Sequence, residues 1–161
     1  MTDHVDLILK QWGAERPDLD ASPMGVVGRL SRLSRQIDRE LEQTFLSHGL
    51  DAASFDVLAT LRRSGQPYTL TPRELTASSM VTSSAIAQRL NRLEERRLVA
   101  RAQDPGDGRG KQVALTAEGL TLIDAALPDH LETERRILSP LSPEERDALA
   151  VLLTKLSAAR G

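Results

Sequence analysis

The stretch "LVARAQDPGDGRGKQVALT", residues 98–116, decides how this chain is read. Its two ends, "LVARAQ" and "QVALT", are short runs that read as strands. Between them, Asp104 to Gly110 packs a proline, three glycines, two aspartates and an arginine into a turn. The expectation is one β-hairpin with a sharp, charged tip. Immediately before it, residues 82–97 carry Ile86, Leu90 and Leu93 on one side at helical spacing. Ser84, Ala87, Gln88, Asn91 and Arg92 fall on the other side. Thr82 or Ser83 is positioned to cap that helix.

Upstream, "TPRE" (71–74) is a capping box, with Thr71 as N-cap, Pro72 at the first helical position and Glu74 reaching back. It predicts a short helix through Leu75 and Ala77, broken by "SSMVTSS". A further helix from about Asp51 places Phe55, Leu58 and Leu61 on one face. Residues 25–47 repeat Val26, Leu30, Leu33, Ile37, Leu41 and Phe45 at three- and four-residue steps, a long amphipathic helix with Ser22 as N-cap and Gly49 as its stop. Downstream, Thr116 caps a helix that Pro128 bends or interrupts. "SPEE" (142–145) opens a last helix bearing Leu149, Leu152, Leu153 and Leu156 on one face.

Composition narrows the function. The chain has 161 residues, enough for one domain with an appendage, and its hydrophobic content suffices for a core. It holds no cysteine, which excludes disulfides, thiolate metal sites, thiol nucleophiles and cysteine-based oxidation sensing. Its three histidines, His4, His48 and His130, share no metal-ligand spacing, so neither a metal nor another cofactor is expected. No phosphate loop, nucleophile elbow or histidine–carboxylate spacing marks an enzyme. No run is long and apolar enough to span a membrane, and the acidic N-terminus is unlike a signal peptide, so a cytoplasmic protein is expected.

The net charge of -2 speaks against polyanion binding, but its distribution does not. Ten basic and five acidic residues lie between Arg62 and Lys111, whereas the rest of the chain has eleven basic and eighteen acidic. A basic island in an acidic protein can still draw in nucleic acid.

These features combine into a mainly α fold: a helix–turn–helix with a β-hairpin wing over residues 51–116. Helical regions at 1–50 (1–20 being an N-terminal extension helix) and 117–161 flank it. The flanking helices have more apolar stripe than so small a module can cover, which points to a homodimer. On this reading Ser83, Ser84, Ala87, Gln88, Asn91 and Arg92 face the major groove of double-stranded DNA. Asp107 holds Arg109 extended for a minor groove, and Lys111 meets phosphate. The plainer alternative for the turn is an ordinary solvated hairpin.

The segment "LNRLEERRLVARAQDPGDGRGKQVALTAEG" resembles the helix-plus-wing signature of the MarR family, the multiple-antibiotic-resistance regulators, with its aspartate-x-arginine tip and following "LT..G". The resemblance spans essentially the whole chain. It implies a dimeric winged helix–turn–helix repressor of a pseudo-palindromic operator, dimerised through its first and last two helices. "W..ERPDLD.SP", "FDVLATLRR" and "PY.L.P..L" are further similar to the urate-responsive subgroup. By that resemblance Trp12, Asp56, Arg89 and Arg101 surround a small aromatic anion, urate-like or phenolic. The recognition helix departs from the subgroup at "AIAQR", where Met-Thr is usual. From the residues alone, Asp56, Arg89 and Arg101 could form an ion-pair network near the junction of reading head and dimer body, and Trp12 could clamp a neighbouring helix. A phenolic or antibiotic effector, or none, is the alternative.

Overall fold

The computed structural model describes residues 2–80, 83–103 and 111–159; of residues 83–85 and 103 it describes the backbone alone. The elements, in chain order, are α1 (His4–Glu15), α2 (Ser22–Ser47), α3 (Ala52–Arg63), β1 (Thr69–Leu70), α4 (Pro72–Ser78), α5 (Ser83–Glu95), β2 (Val99–Gln103), β3 (Lys111–Leu115), α6 (Ala117–Ile137) and α7 (Pro143–Ala158). The chain divides into two compact units, one ending at Glu40 and the other starting at Leu41.

In the first unit, α1 begins at a reciprocal cap. The Asp3 carboxylate accepts from the amides of Val5 and Asp6, and the Asp6 carboxylate accepts from the Asp3 amide. Arg29 of α2 then donates to both carboxylates, at 2.8 and 3.0 Å for Asp3 and 2.6 Å for Asp6. The reciprocal amide bonds first, and Arg29 second, hold both carboxyls below their ordinary value of 3.8. Val5 is buried against the α2 backbone at Gly28. Helix α2 starts at Ser22 itself, whose amide is accepted by the Asp20 carboxylate at 2.9 Å. Ser22 is therefore inside the helix rather than its N-cap, because the aspartate two residues earlier is the better acceptor for the free amide.

The second unit holds the core. Leu58, Leu61, Leu75, Ile86, Leu93, Val113 and Ile123 are almost fully buried, and Phe45 stacks on Phe55 at 4.4 Å between ring centroids. The caps of α4 by Thr71 and Glu74, of α6 by Thr116 and of α7 by Ser142 and Glu145 are those the sequence expects. Of the two residues expected to cap α5, Ser83 lies inside the helix and Thr82 lies outside the described residues. Asp51 caps α3. Two helices end in the same left-handed stop. After α2, the amides of Gly49 and Leu50 bond to the carbonyls of Leu46 and Phe45; after α5, those of Arg97 and Leu98 bond to Glu94 and Leu93. Gly49 takes a φ of 65°, and Arg97 a φ of 58° with a Cβ in the way.

The sheet is antiparallel with order β1-β3-β2, and β2 pairs with β3 from Val99↔Leu115 to Gln103↔Lys111. Strand β1 was not expected; two residues carry no readable alternation, and only pairing of Thr69 and Leu70 with Ala114 and Val113 reveals it. Helix α6 runs unbroken through Pro128. The ring removes one helical hydrogen bond, but Ile123 and Ala126 before it and Thr133 after it are buried, and that packing keeps the helix continuous. The start of α6 lies on the end of the preceding turn so closely that a Cβ at Gly119 would fall 1.9 Å from the Leu98 carbonyl oxygen.

Candidate nucleic-acid interface

Helices α4 and α5 form the two arms of a helix–turn–helix, and β2 and β3 stand beside α5 as a hairpin. Amphipathicity orients α5. Ile86, Leu90 and Leu93 are buried at 2%, 4% and 0% exposure, and this forces the opposite face outward. Ala87, Gln88, Asn91 and Arg92 are all exposed there. The backbone of Ser83 and Ser84 forms the first turn of α5, the end of a helix that favours an anion. Lys111 is exposed at the first position of β3. Asp107 and Arg109, expected at the wing tip, lie outside the described residues.

The structure does not join Asp56, Arg89 and Arg101 into one ion-pair network. Arg89 goes to the α3 cap: its Nε sits 3.2 Å from Asp51 Oδ1, close enough for attraction but out of line for a hydrogen bond. Asp56 is the better buried carboxylate, and its Oδ2 accepts from the Met80 amide at 2.8 Å, while Arg63 Nη1 stands 4.0 Å from Oδ1. Arg101 turns to α5, donating to Asn91 Oδ1 at 2.7 Å and lying 3.3 Å from Glu94 Oε2. The reason is geometric. Asp51 and Asp56 are five residues apart and so point about 140° apart around α3; Arg89 of α5 meets the first of these directions. Trp12 lies on α1 of the first unit and is 43% exposed. The roles of Asp51, Asn91 as a wing partner, and Glu94 were not anticipated; a carboxylate at a helix start and one at the end of α5 were the only signals.

Asp56 also borders a cleft of about 430 Å³ between α3 and α6. Phe55, Ile123, Leu127 and Leu131 give it an apolar lining, and Arg62, Arg63 and His130 add polar groups. Arg62 is engaged by Asp124 at 2.7 Å and lies 5.0 Å from the Tyr68 ring. Among the described residues, no His, Cys, Asp or Glu cluster could hold a metal ion, and no helix is long and apolar enough to cross a membrane.

A hairpin beside a helix–turn–helix, with the second helix presenting a polar and cationic face, defines a winged helix–turn–helix DNA-binding protein. The MarR family matches residues 48–110. Over 152 residues the chain is 45% identical to the HTH-type transcriptional regulator PecS of Dickeya dadantii, spanning 94% of this chain and 92% of that protein. Bordetella bronchiseptica BpsR, whose DNA binding is regulated by 6-hydroxynicotinic acid, has a similar structure, with a TM-score of 0.73 at 28% identity over 83% of this chain and 98% of that one. A MarR family regulator from Streptomyces coelicolor in complex with DNA shares the fold, with a TM-score of 0.80 at 23% identity over 88% of this chain and 89% of that one. The chain belongs to the MarR family of DNA-binding transcriptional regulators. Its relatives are regulators and not enzymes.

Proposed function

We propose that this protein is a homodimeric repressor of a pseudo-palindromic operator, released by a small aromatic anion. The observation that carries the DNA-binding face is the exposure of Ala87, Gln88, Asn91 and Arg92 opposite the buried stripe of α5. Dimerisation is supported by α7, which buries no residue and leaves Val151, Leu152, Leu153 and Leu156 exposed. A two-fold axis through such helices sets two recognition helices about 34–36 Å apart, one turn of duplex. Ser83, Ser84, Arg92, Asp107, Arg109 and Lys111 then supply backbone and groove contacts.

For the effector, the α3–α6 cleft has the size of a small-molecule site and an apolar lining with a few polar groups. Asp56 gives it a lever. Its carboxylate pins the Met80 amide, in the connection that leads into α5. An anion that pairs with Arg63 competes with Asp56 and frees that connection. Arg89 and Arg101, which hold α5 to Asp51 and to the wing, transmit or resist the shift. Trp12 is exposed enough to stack on an aromatic ring. The regulation of BpsR by an aromatic acid favours this ligand class, and the subgroup resemblance favours urate. To act, the ligand must bind the DNA-incompetent state more tightly by about 1–3 kcal/mol.

The test is a titration of urate, 6-hydroxynicotinic acid and salicylate into an operator complex, read by electrophoretic mobility and by Trp12 fluorescence. Release by one of them, lost in Asp56→Asn, is the expected result. No release at millimolar ligand by any of the three, with fluorescence unchanged, defeats the effector assignment and leaves a regulator without a small-molecule switch.

A further inference from the structure

We propose that Arg101 sets the hydrogen-bonding polarity of Asn91, so that the recognition helix presents an amide donor and selects keto bases over amino bases at that position. The inference rests on the reading of Asn91 as groove-facing and concerns which base it accepts.

The geometry leaves little freedom. Arg101 is the central residue of β2, paired with Val113. From there its Nη2 donates to Asn91 Oδ1 at 2.7 Å, and its Nη1 lies 3.3 Å from Glu94 Oε2. Asn91 and Glu94 are three residues apart, neighbours on one face of α5. One guanidinium fork therefore spans a helical turn and ties the wing strand to the recognition helix. A guanidinium is donor-only, so the Asn91 amide has one orientation that satisfies it, with oxygen toward Arg101 and nitrogen away. Asn91 is exposed, and its Nδ2 has no bond to another described residue.

A free asparagine reads adenine with both ends of its amide, accepting from N6 and donating to N7. Here the accepting end is engaged, and any second donor approaching Oδ1 meets the positive charge of Arg101. What remains is a two-proton donor. Its complements in the major groove are guanine O6 and N7 and thymine O4; adenine N7 can take one proton, but the N6 amine beside it opposes the other, and cytosine offers only its opposing N4 amine. The fork has a second effect. Glu94 is part-exposed beside the groove face and would repel phosphate, but Arg101 balances its charge and holds it aside.

The experiment is selection of bound duplexes from a randomised library by the full-length protein, sequenced for wild type, Asn91→Ala, Arg101→Met and Arg101→Lys, with thermal melts as a control on folding. In the wild type, one position per half-site favours guanine or thymine. Asn91→Ala flattens that position alone. Arg101→Met frees Oδ1 and raises adenine there about tenfold relative to the wild-type base, while Arg101→Lys, which keeps a donor, retains most of the original preference. If Asn91→Ala changes no position, Asn91 is not a base reader and the proposal falls with that reading. If Asn91→Ala flattens a position but Arg101→Met leaves it as in the wild type, the groove-facing reading stands and the role of Arg101 is overturned. An Arg101→Met protein that melts normally yet loses affinity evenly across sequences marks Arg101 as a phosphate contact and also overturns it.

Discussion

Leu93 and Leu152 are the same residue type, each on an amphipathic helix, and they meet opposite fates. Leu93, on the inner face of α5, is wholly covered by the core that α3, α6 and the sheet build around it. Leu152, on α7, is 62% exposed, and so in large part are its neighbours Val151, Leu153 and Leu156. The reading head thus completes its own core, whereas the last helix carries apolar surface that this chain leaves open. Scattered exposed leucines need no explanation, but four large apolar side chains within six residues form a patch of the kind interfaces cover, which is what favours the proposed dimer. One region closes its apolar face within this chain; the other leaves its apolar face open.

Substitutions at the two leucines break or sharpen that contrast. Leu93→Ala leaves a cavity in a closed core and is expected to cost about 2–5 kcal/mol of stability. The loss should be the same whatever the protein concentration, as measured by urea unfolding of dilute and concentrated samples. A loss below about 1 kcal/mol would mean that the α5 inner face is not the packed surface described here. Leu152→Asp combined with Leu156→Asp is expected to do the reverse. Helical circular dichroism stays, the species sedimenting in the ultracentrifuge becomes a monomer, and operator affinity falls because two half-sites no longer act together. A double variant that stays dimeric at micromolar concentration removes α7 from the dimer interface.

The contrast also explains what could be read in advance. Caps and stripes are local, so Thr71 with Glu74, Thr116, Ser142 with Glu145, and the buried set Ile86, Leu90 and Leu93 were all legible. Partners of charged side chains are not local. Asp56 and Asp51 differ by little more than a turn of α3, yet one faces the α3–α6 cleft and the other Arg89; no spacing along the chain reveals which. Arg101 was singled out in the first wing strand, but its engagement with Asn91 and Glu94 depends on how the hairpin leans on α5. β1 was missed because two residues have no period. Pro128 does not interrupt α6, because burial on both sides of it outweighs a local cost that is real.

Arg97 gives the smallest expected effect and the most local one. It ends α5 with the stop that Gly49 provides for α2: the same pair of backbone bonds and nearly the same φ, 58° against 65°. At Gly49 the conformation is free of a Cβ; at Arg97 it is not, and an L-residue held there is strained by about 1–2 kcal/mol. Its carbonyl also accepts from the Thr116 hydroxyl at 2.6 Å, so the strained residue sits where α5 hands over to the sheet and to the cap of α6. Replacing it by glycine removes the strain but adds backbone entropy to the unfolded chain, which returns part of the gain. Arg97→Gly is therefore expected to raise stability by a few tenths to about 1 kcal/mol, with the midpoint of urea unfolding shifted upward and its slope unchanged. Arg97→Ala, which keeps the Cβ, should give no such gain. If the glycine variant is less stable than the alanine one, the Arg97 backbone is not left-handed, and the comparison of the two helix stops fails at its second member.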